Sequence, residues 1–341
     1  VAAPLLAPEV TLSAVPAGSV AAAVPAMTLG GVAFHSLQWQ VKVDALPTGV
    51  TAPALQRQLQ AALDAIDDAL TTYRPDSELM RFNRQPLDVW WPVSPLLLQG
   101  VMIAAETSRL SGGAYDVTVG PLVELWGFGA APAPETLPSA AAIAAARARV
   151  GWERIGIDPE RRALRRLADV HLDLSSLGEG AGVDALARVL EQAGVRNYLV
   201  RVAGTSRQLG QRPGGGPWSL AIERPDGSGQ PGRGLRTAAS VVSTSGAYRN
   251  QREIGGQRYA HTLDPVTGYP VTHAGVSVTV VLPASAGAMR VDALATAFSV
   301  LGPERGLALA RERGLAVFYL ERTEAGLRER WSPGFAPFLA D

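Results

Sequence analysis

The stretch HLDLSSLGEGAGVDALARVLEQAGVRNYLVRVAG, residues 171–204, decides the fold. It reads as a strand, a glycine-rich turn, a helix, a second turn and a second strand. Val183, Leu186, Val189 and Leu190 recur at helical steps, so they share one side of the helix. Toward the N-terminus, SLQWQVKVDAL (36–46) alternates apolar and polar residues like a half-buried strand, and the fold is expected to begin there. PALQRQLQAALDAIDDALTTY (53–73) carries Leu55, Leu59, Leu63, Ile66 and Leu70 on one face, with Pro53 at a helix start, where a missing N–H costs little. SPLLLQGVMIAAETSRLSGG (94–113) reads as a second helix, N-capped by Ser94 and ended by a glycine pair. PSAAAIAAARARVG (138–151) reads as a third.

Toward the C-terminus, WSLAIERP, SVVSTSG, GVSVTVVLP and LAVFYLER read as strands, and RVDALATAFSVLG and PERGLALARERG as helices. Strands and helices mix without strict alternation. That pattern predicts an α+β architecture with a largely antiparallel mixed sheet and flanking helices.

The totals narrow the function. The chain has 341 residues and a formal net charge of zero, which argues against a nucleic-acid binder. It contains no cysteine, so disulfides, thiolate catalysis and thiolate metal sites are excluded. No apolar run reaches the ~18 residues of a membrane span. Residues 1–30, small, Pro-punctuated and almost uncharged, read as the linker of an exported protein, and 31–341 as one domain.

Five polar clusters lie beside glycines: YRPDSELMRFN (73–83), GGAYDVTVGPLVELWGFG (112–129), DLSSLGEGAGVD (173–184), STSGAYRNQ (243–251) leading into YAHTLDPVTGYP (259–270), and RVDALATAF (290–298). Asp292 and Thr296 are four apart on a helix, which aligns a carboxylate and a hydroxyl, hard ligands suited to Mg²⁺. From spacing alone the plainer reading is preferred, an Asp favoured by the helix dipole and a Thr packed on a turn. The glycine-rich turn offers amides to an anion, or is simply a tight turn. Thr244, Ser245 and Gly246 end a strand with hydroxyls and N–H groups suited to a phosphate. His261 can take a proton from an attacking hydroxyl, with Asp264 orienting it, or it satisfies backbone in a loop before Asp-Pro. Tyr73, Tyr115 and Trp126 can stack on a planar ring or belong to the core.

In this order, and over roughly residues 30–320, these clusters resemble the ApbE family of FAD:protein FMN transferases. The resemblance implies a T-fold-like domain with the flavin site in a cleft between two subdomains. It implies attack by a target Thr or Ser hydroxyl on the FMN-side phosphorus of FAD, release of AMP, and use of Mg²⁺. It implies export and an acceptor among the subunits of membrane redox complexes. By resemblance, Asp292, Thr296 and the Gly178 carbonyl would hold the metal. His261 would be the base, assisted by Asp264. Tyr73, Tyr115, Asp116, Thr118, Glu179, Gly180, Asp184, Thr205, Thr244, Ser245, Gly246 and His261 would line the FAD site. Four strings depart from the family's: GEG for AKG at Glu179, AGT for GGD at 203–205, TSGAY for TSGDY at Ala247, and FHS for MGT at 34–36. Those departures describe a divergent member and leave two other readings, a flavin-binding or delivery protein without transfer and an Mg²⁺-dependent FAD pyrophosphatase.

Overall fold

Period-2 alternation of valines builds the largest element. Eight strands pair antiparallel throughout, in the spatial order Met27–Ala33, Leu37–Val43, Tyr198–Val202, Thr205–Leu209, Ser240–Gly246, Gly275–Pro283, Ala316–Thr323 and Gly326–Trp331. The computed structural model describes residues 27–129, 134, 136–225, 230–246, 251–254 and 256–340. Most of the expected linker therefore lies outside the described residues, as does Ala247. The sheet begins at Met27, nine residues before the stretch that alternation marks as the start, and takes in the last four residues assigned to the linker.

The described residues form the helices α1 (Ala52–Leu70), α2 (Glu78–Asn83), α3 (Pro95–Leu110), α4 (Gly120–Leu125), α5 (Ala140–Arg147), α6 (Ser175–Gln192) and α7 (Ala288–Arg313). One face of the sheet, with Val41, Val200, Val241, Val280 and Val317, packs on α1, α6 and α7. The other face, with Val242, Val281 and Phe318, is covered by the hairpin of strands Trp218–Glu223 and Pro231–Thr237 and by a 3₁₀ turn over Pro333–Phe338. A second core lies beyond α6 and α7, where Leu177, Ala181, Met289, Ala293 and Ala297 meet α2, α3 and a small three-stranded sheet. A fourth cluster joins α4 and α5 to Ile254 and Leu263.

The helices follow their apolar spacing. The buried residues of α1 are Leu55, Leu59, Leu63, Ile66 and Leu70. Ser94 Oγ caps α3 by accepting the Leu97 amide at 3.1 Å. The 171–182 stretch differs from its sequence reading. Residues 171–174 form no strand, and the glycines of GEGAG sit inside α6. Glycine weakens a helix interior by roughly 1 kcal/mol relative to Ala. Tertiary packing overrides that at Gly180, where a Cβ would lie 2.4 Å from the Ala288 carbonyl oxygen. Gly180 lets α6 and α7 touch backbone to backbone.

The two helices expected at 290–314 are present, run together as α7 and separated by a kink at Gly302 (φ 71°) and Pro303. Two carbonyls just before the break are taken up by side chains, one from the strand Ala316–Thr323 and one from the loop before Gly275–Pro283. Tyr319 Oη donates to Phe298 O at 2.6 Å, and His273 Nε2–H donates to Ser299 O at 2.9 Å. Pro303 has no N–H to offer Ser299, so His273 replaces the missing helical bond.

Candidate active site

The α6–α7 contact carries a buried polar cluster. Asp292 Oδ2 accepts the Gly180 amide at 2.8 Å, and the nearby Thr205 and Ser243 hydroxyls favour its ionised form. Glu179 Oε2 accepts the Gly204 amide at 2.9 Å and Thr205 Oγ1–H at 3.3 Å. Thr205 Oγ1 and Ser243 Oγ lie 2.8 Å apart. Burial first, and then the Glu179 charge, push the Asp292 carboxyl well above the usual carboxylate range, against the pull of its hydrogen-bond donors. Two carboxylates are thus gathered from neighbouring helices over the two central strands of the sheet.

This donor set fits a small divalent cation. A cation between desolvated carboxylates offsets their mutual repulsion, and oxygen ligands suit Mg²⁺. Thr296 lies one turn beyond Asp292 on α7, half-buried. A Cβ at Gly178 would meet nothing within 4 Å, so the α6 backbone there borders open space. Among the described residues no group of three or more His, Cys, Asp or Glu could hold a metal. Neutral oxygens would therefore complete the coordination.

A second set of residues leads from α6 toward His261. Tyr115 is buried, its hydroxyl 2.8 Å from Ser176 Oγ in the first turn of α6. Burial holds the Tyr115 phenol far above its usual range, opposed by the Ser176 bond and reinforced by Asp292, Asp173 and Asp116. Asp116 Oδ1 accepts the Thr118 amide at 2.7 Å and hydroxyl at 2.6 Å, and Oδ2 accepts the Trp152 amide at 3.0 Å. Thr118 Oγ1 accepts the Gly151 amide at 2.7 Å. Asp116 and Thr118 thus brace the loop that carries Tyr115. Asp116 also lines a cavity of about 400 Å³ together with Pro265 and Val266 of the His261 loop.

That loop is itself anchored. Trp126 is buried, and its Nε1–H donates to Gly268 O at 2.9 Å, which makes it a core residue. Asp264 Oδ1 accepts the Val266 amide at 2.9 Å, and Asp264 O accepts the Gly268 amide at 2.7 Å, closing the turn. His261 is half-buried, its ring edge-on to Phe128 with centroids 6.4 Å apart. Tyr73 stands exposed beside His35.

Hydrogen bonds bring Glu179, Gly180, Thr205 and Asp292 together. Asp184 is not part of that cluster. It projects from another side of α6, and its oxygens accept the Ala288 and Met289 amides at 2.9 and 3.1 Å, capping α7. Thr244 is turned away as well. Strand alternation sends it to the face opposite Ser243, where its hydroxyl lies 2.9 Å from Thr279 Oγ1. Ser245 shares the face of Ser243, and Ser245 and Gly246 are half-buried at the strand end. The residue that sequence reasoning missed is Ser243. The signal was present, because Ser243 and Ser245 alternate with Thr244, but the side of the strand facing α7 was unknown.

The ApbE family profile matches residues 36–319. The chain belongs to the ApbE family. A Klebsiella pneumoniae (strain 342) relative named FAD:protein FMN transferase is 41% identical over 305 residues, 88% of this chain and 86% of its own. The flavin transferase ApbE from Vibrio cholerae superposes with a TM-score of 0.82 at 34% identity, covering 92% of this chain and 100% of that one. The apo form of Pseudomonas stutzeri flavinyl transferase ApbE gives a TM-score of 0.83 at 36% identity, covering 93% and 98%. The antiparallel α+β fold expected from sequence is the ApbE fold.

Proposed function

We propose that this chain transfers FMN from FAD to a Thr or Ser hydroxyl of an acceptor protein. Its family, and the name FAD:protein FMN transferase borne by its Klebsiella relative, support that activity. The observation that carries the chemistry is the pair of buried Asp292 and half-buried Glu179, which meet at Thr205 and the Gly180 amide.

The acceptor oxygen forms a bond to the FMN-side phosphorus. The bond from that phosphorus to the bridging oxygen breaks, and AMP leaves with the electron pair. The hydroxyl proton goes to His261, whose unperturbed pKa of about 6.5 suits a base near neutrality. Such transfers depend mostly on positioning and charge neutralisation. Mg²⁺, held by Asp292, Thr296 and the Gly178 carbonyl, would neutralise charge on the pyrophosphate. The amide and hydroxyls around Asp292 hold its carboxylate in one orientation, and Glu179 fixes the 203–205 turn against α6. Asp264 closes the turn that presents His261.

On this reading the acceptor is a subunit of a membrane redox complex, and the protein works outside the cytoplasm. A cysteine-free composition suits an oxidising compartment. No helix among the described residues is long and apolar enough to cross a membrane.

Mass spectrometry tests the proposal. A Thr-containing domain of a flavin-modified redox subunit is incubated with the protein, FAD and Mg²⁺. A mass gain of one FMN that disappears on chelation supports it. AMP and FMN release without acceptor gain would make the protein a pyrophosphatase, and FAD binding without AMP release a flavin carrier.

A further inference from the structure

α7 begins without a side-chain cap of its own. Its N-cap is Gly287, at φ 80°, and a Cβ there would lie 3.5 Å from Asp184 Oδ2. The acceptors come instead from α6. Asp184 Oδ1 takes the Ala288 amide at 2.9 Å, and Oδ2 takes the Met289 amide at 3.1 Å. First-turn amides have no partner within their own helix, and a carboxylate is favoured at the positive end of the helix dipole.

The bond has a counterpart. Asp292 lies four residues after Ala288 on α7, Gly180 lies four residues before Asp184 on α6, and Asp292 Oδ2 accepts the Gly180 amide at 2.8 Å. Each helix thus gives a carboxylate to a backbone amide of the other. The two crossings stand about 6 Å apart along the helices, at 1.5 Å per residue. The backbones touch in the same region, where a Cβ at Gly180 would lie 2.4 Å from the Ala288 carbonyl oxygen. This reciprocal pair of bonds fixes how α6 and α7 lie against each other where the polar cluster forms.

The sheet holds the outer bond as well. Arg207 Nη1 lies 3.6 Å from Asp184 Oδ1, and Arg207 Nη2–H donates to Glu191 Oε1 at 2.8 Å. Glu191 Oε1 also accepts Tyr198 Oη–H at 2.6 Å. Arg207 stands two residues from Thr205, on the same face of its strand. Asp184 therefore ties together α6, α7 and the strand that carries Thr205. Asp292 is the fifth residue of α7, close enough to that end to feel its fraying. Without Asp184 the first-turn amides lose their acceptors, and a loosened turn frees Asp292 from the Gly180 amide.

We propose that Asp184 is a positioning residue, which holds the Asp292 carboxylate in place for Mg²⁺ by locking the start of α7 to α6. The proposal rests on the reading of Asp292 as a metal ligand given above.

Mg²⁺ is titrated by calorimetry into the protein carrying one equivalent of FAD, without acceptor, and thermal midpoints are taken alongside. Asp184→Ala should weaken Mg²⁺ binding about tenfold, the lower end of the loss when a group that orients a metal ligand is removed. Asp184→Asn keeps one oxygen acceptor and should fall between Asp184→Ala and the wild type. It decides alone if Asp184→Ala does not fold. Ser94→Ala removes a cap of the same kind from α3, and should lower the thermal midpoint while Mg²⁺ affinity stays unchanged. With chelator in place of Mg²⁺, FAD affinity should be the same in every variant. Unchanged Mg²⁺ affinity in the Asp184 variants would overturn the proposal, as would an equal loss in Ser94→Ala. A loss of FAD affinity in chelator would overturn it too, by returning Asp184 to the flavin site. A wild-type protein that binds no Mg²⁺, or an Asp292→Asn variant that binds it normally, would overturn the metal reading and this role with it.

Discussion

Burial and the neighbouring Glu179 charge disfavour the ionised form of Asp292, so that carboxylate destabilises the fold unless a cation joins it. Asp292→Asn should therefore separate function from stability. The amide keeps the shape and removes a desolvated charge, so the thermal midpoint should hold or rise. FMN transfer should fall about a hundredfold or more, as when a charge-stabilising group is removed. An unchanged rate would take Asp292 out of the metal role. His261→Ala should lower kcat about 10²- to 10⁴-fold, the usual contribution of a general base, with FAD affinity within about threefold. A variant that binds FAD poorly but transfers normally at saturation would contradict the base assignment. Asp292, Glu179 and His261 were legible in sequence because each stood in a motif. Ser243 was not, since only its register with Thr205 turns it toward α7.

At the scale of the element, α7 shows how side chains can replace helical hydrogen bonds at a break. Just before Gly302 and Pro303, Tyr319 and His273 take up two carbonyls. Burial holds His273 below the usual histidine range, so it stays neutral in the fold. The sign follows from linkage. Between its depressed folded pKa and about 6.5, the unfolded chain binds more protons, so stability is full above about pH 6.5 and falls as pH drops toward the folded pKa. His171, also lowered by burial, adds a contribution of the same sign. Urea midpoints from pH 7.5 to 5 should decline in the wild type. In His273→Ala the decline should be shallower, and stability at pH 7.5 lower by about 1–3 kcal/mol for the unsatisfied carbonyl. An unchanged slope would mean that His273 does not titrate with unfolding. The proline was visible in the sequence, and its effect was read as a helix boundary. The histidine that repairs it is 26 residues away along the chain, beyond any local pattern.

At the scale of the molecule, α6 and α7 are shared walls. Val183, Leu186 and Leu190 of α6 and Val291, Leu294 and Phe298 of α7 face the sheet. Leu177, Ala181 and Ala185, with Met289, Ala293 and Ala297, face the second core. Neither core can be exposed without unpacking a helix of the other. Thermal unfolding should therefore give one calorimetric transition, with near- and far-UV signals coincident. Two separated transitions would show that the halves fold independently.

The sequence by itself determined what short-range physics encodes: α1 and α3 from their apolar period and capping, the strands from their alternation, and the order of polar clusters that resembles the ApbE family. Tertiary structure decided the rest. Only the close approach of α7 explains why GEGAG is helix and not turn, because glycine there answers a backbone 108 residues distant in the chain, at Ala288. Only strand register decided that Ser243 and not Thr244 faces Asp292, and only the position of α7's N-terminus engaged both oxygens of Asp184. Local propensity is summed over neighbouring residues, whereas a site is assembled from atoms that meet when separate elements pack.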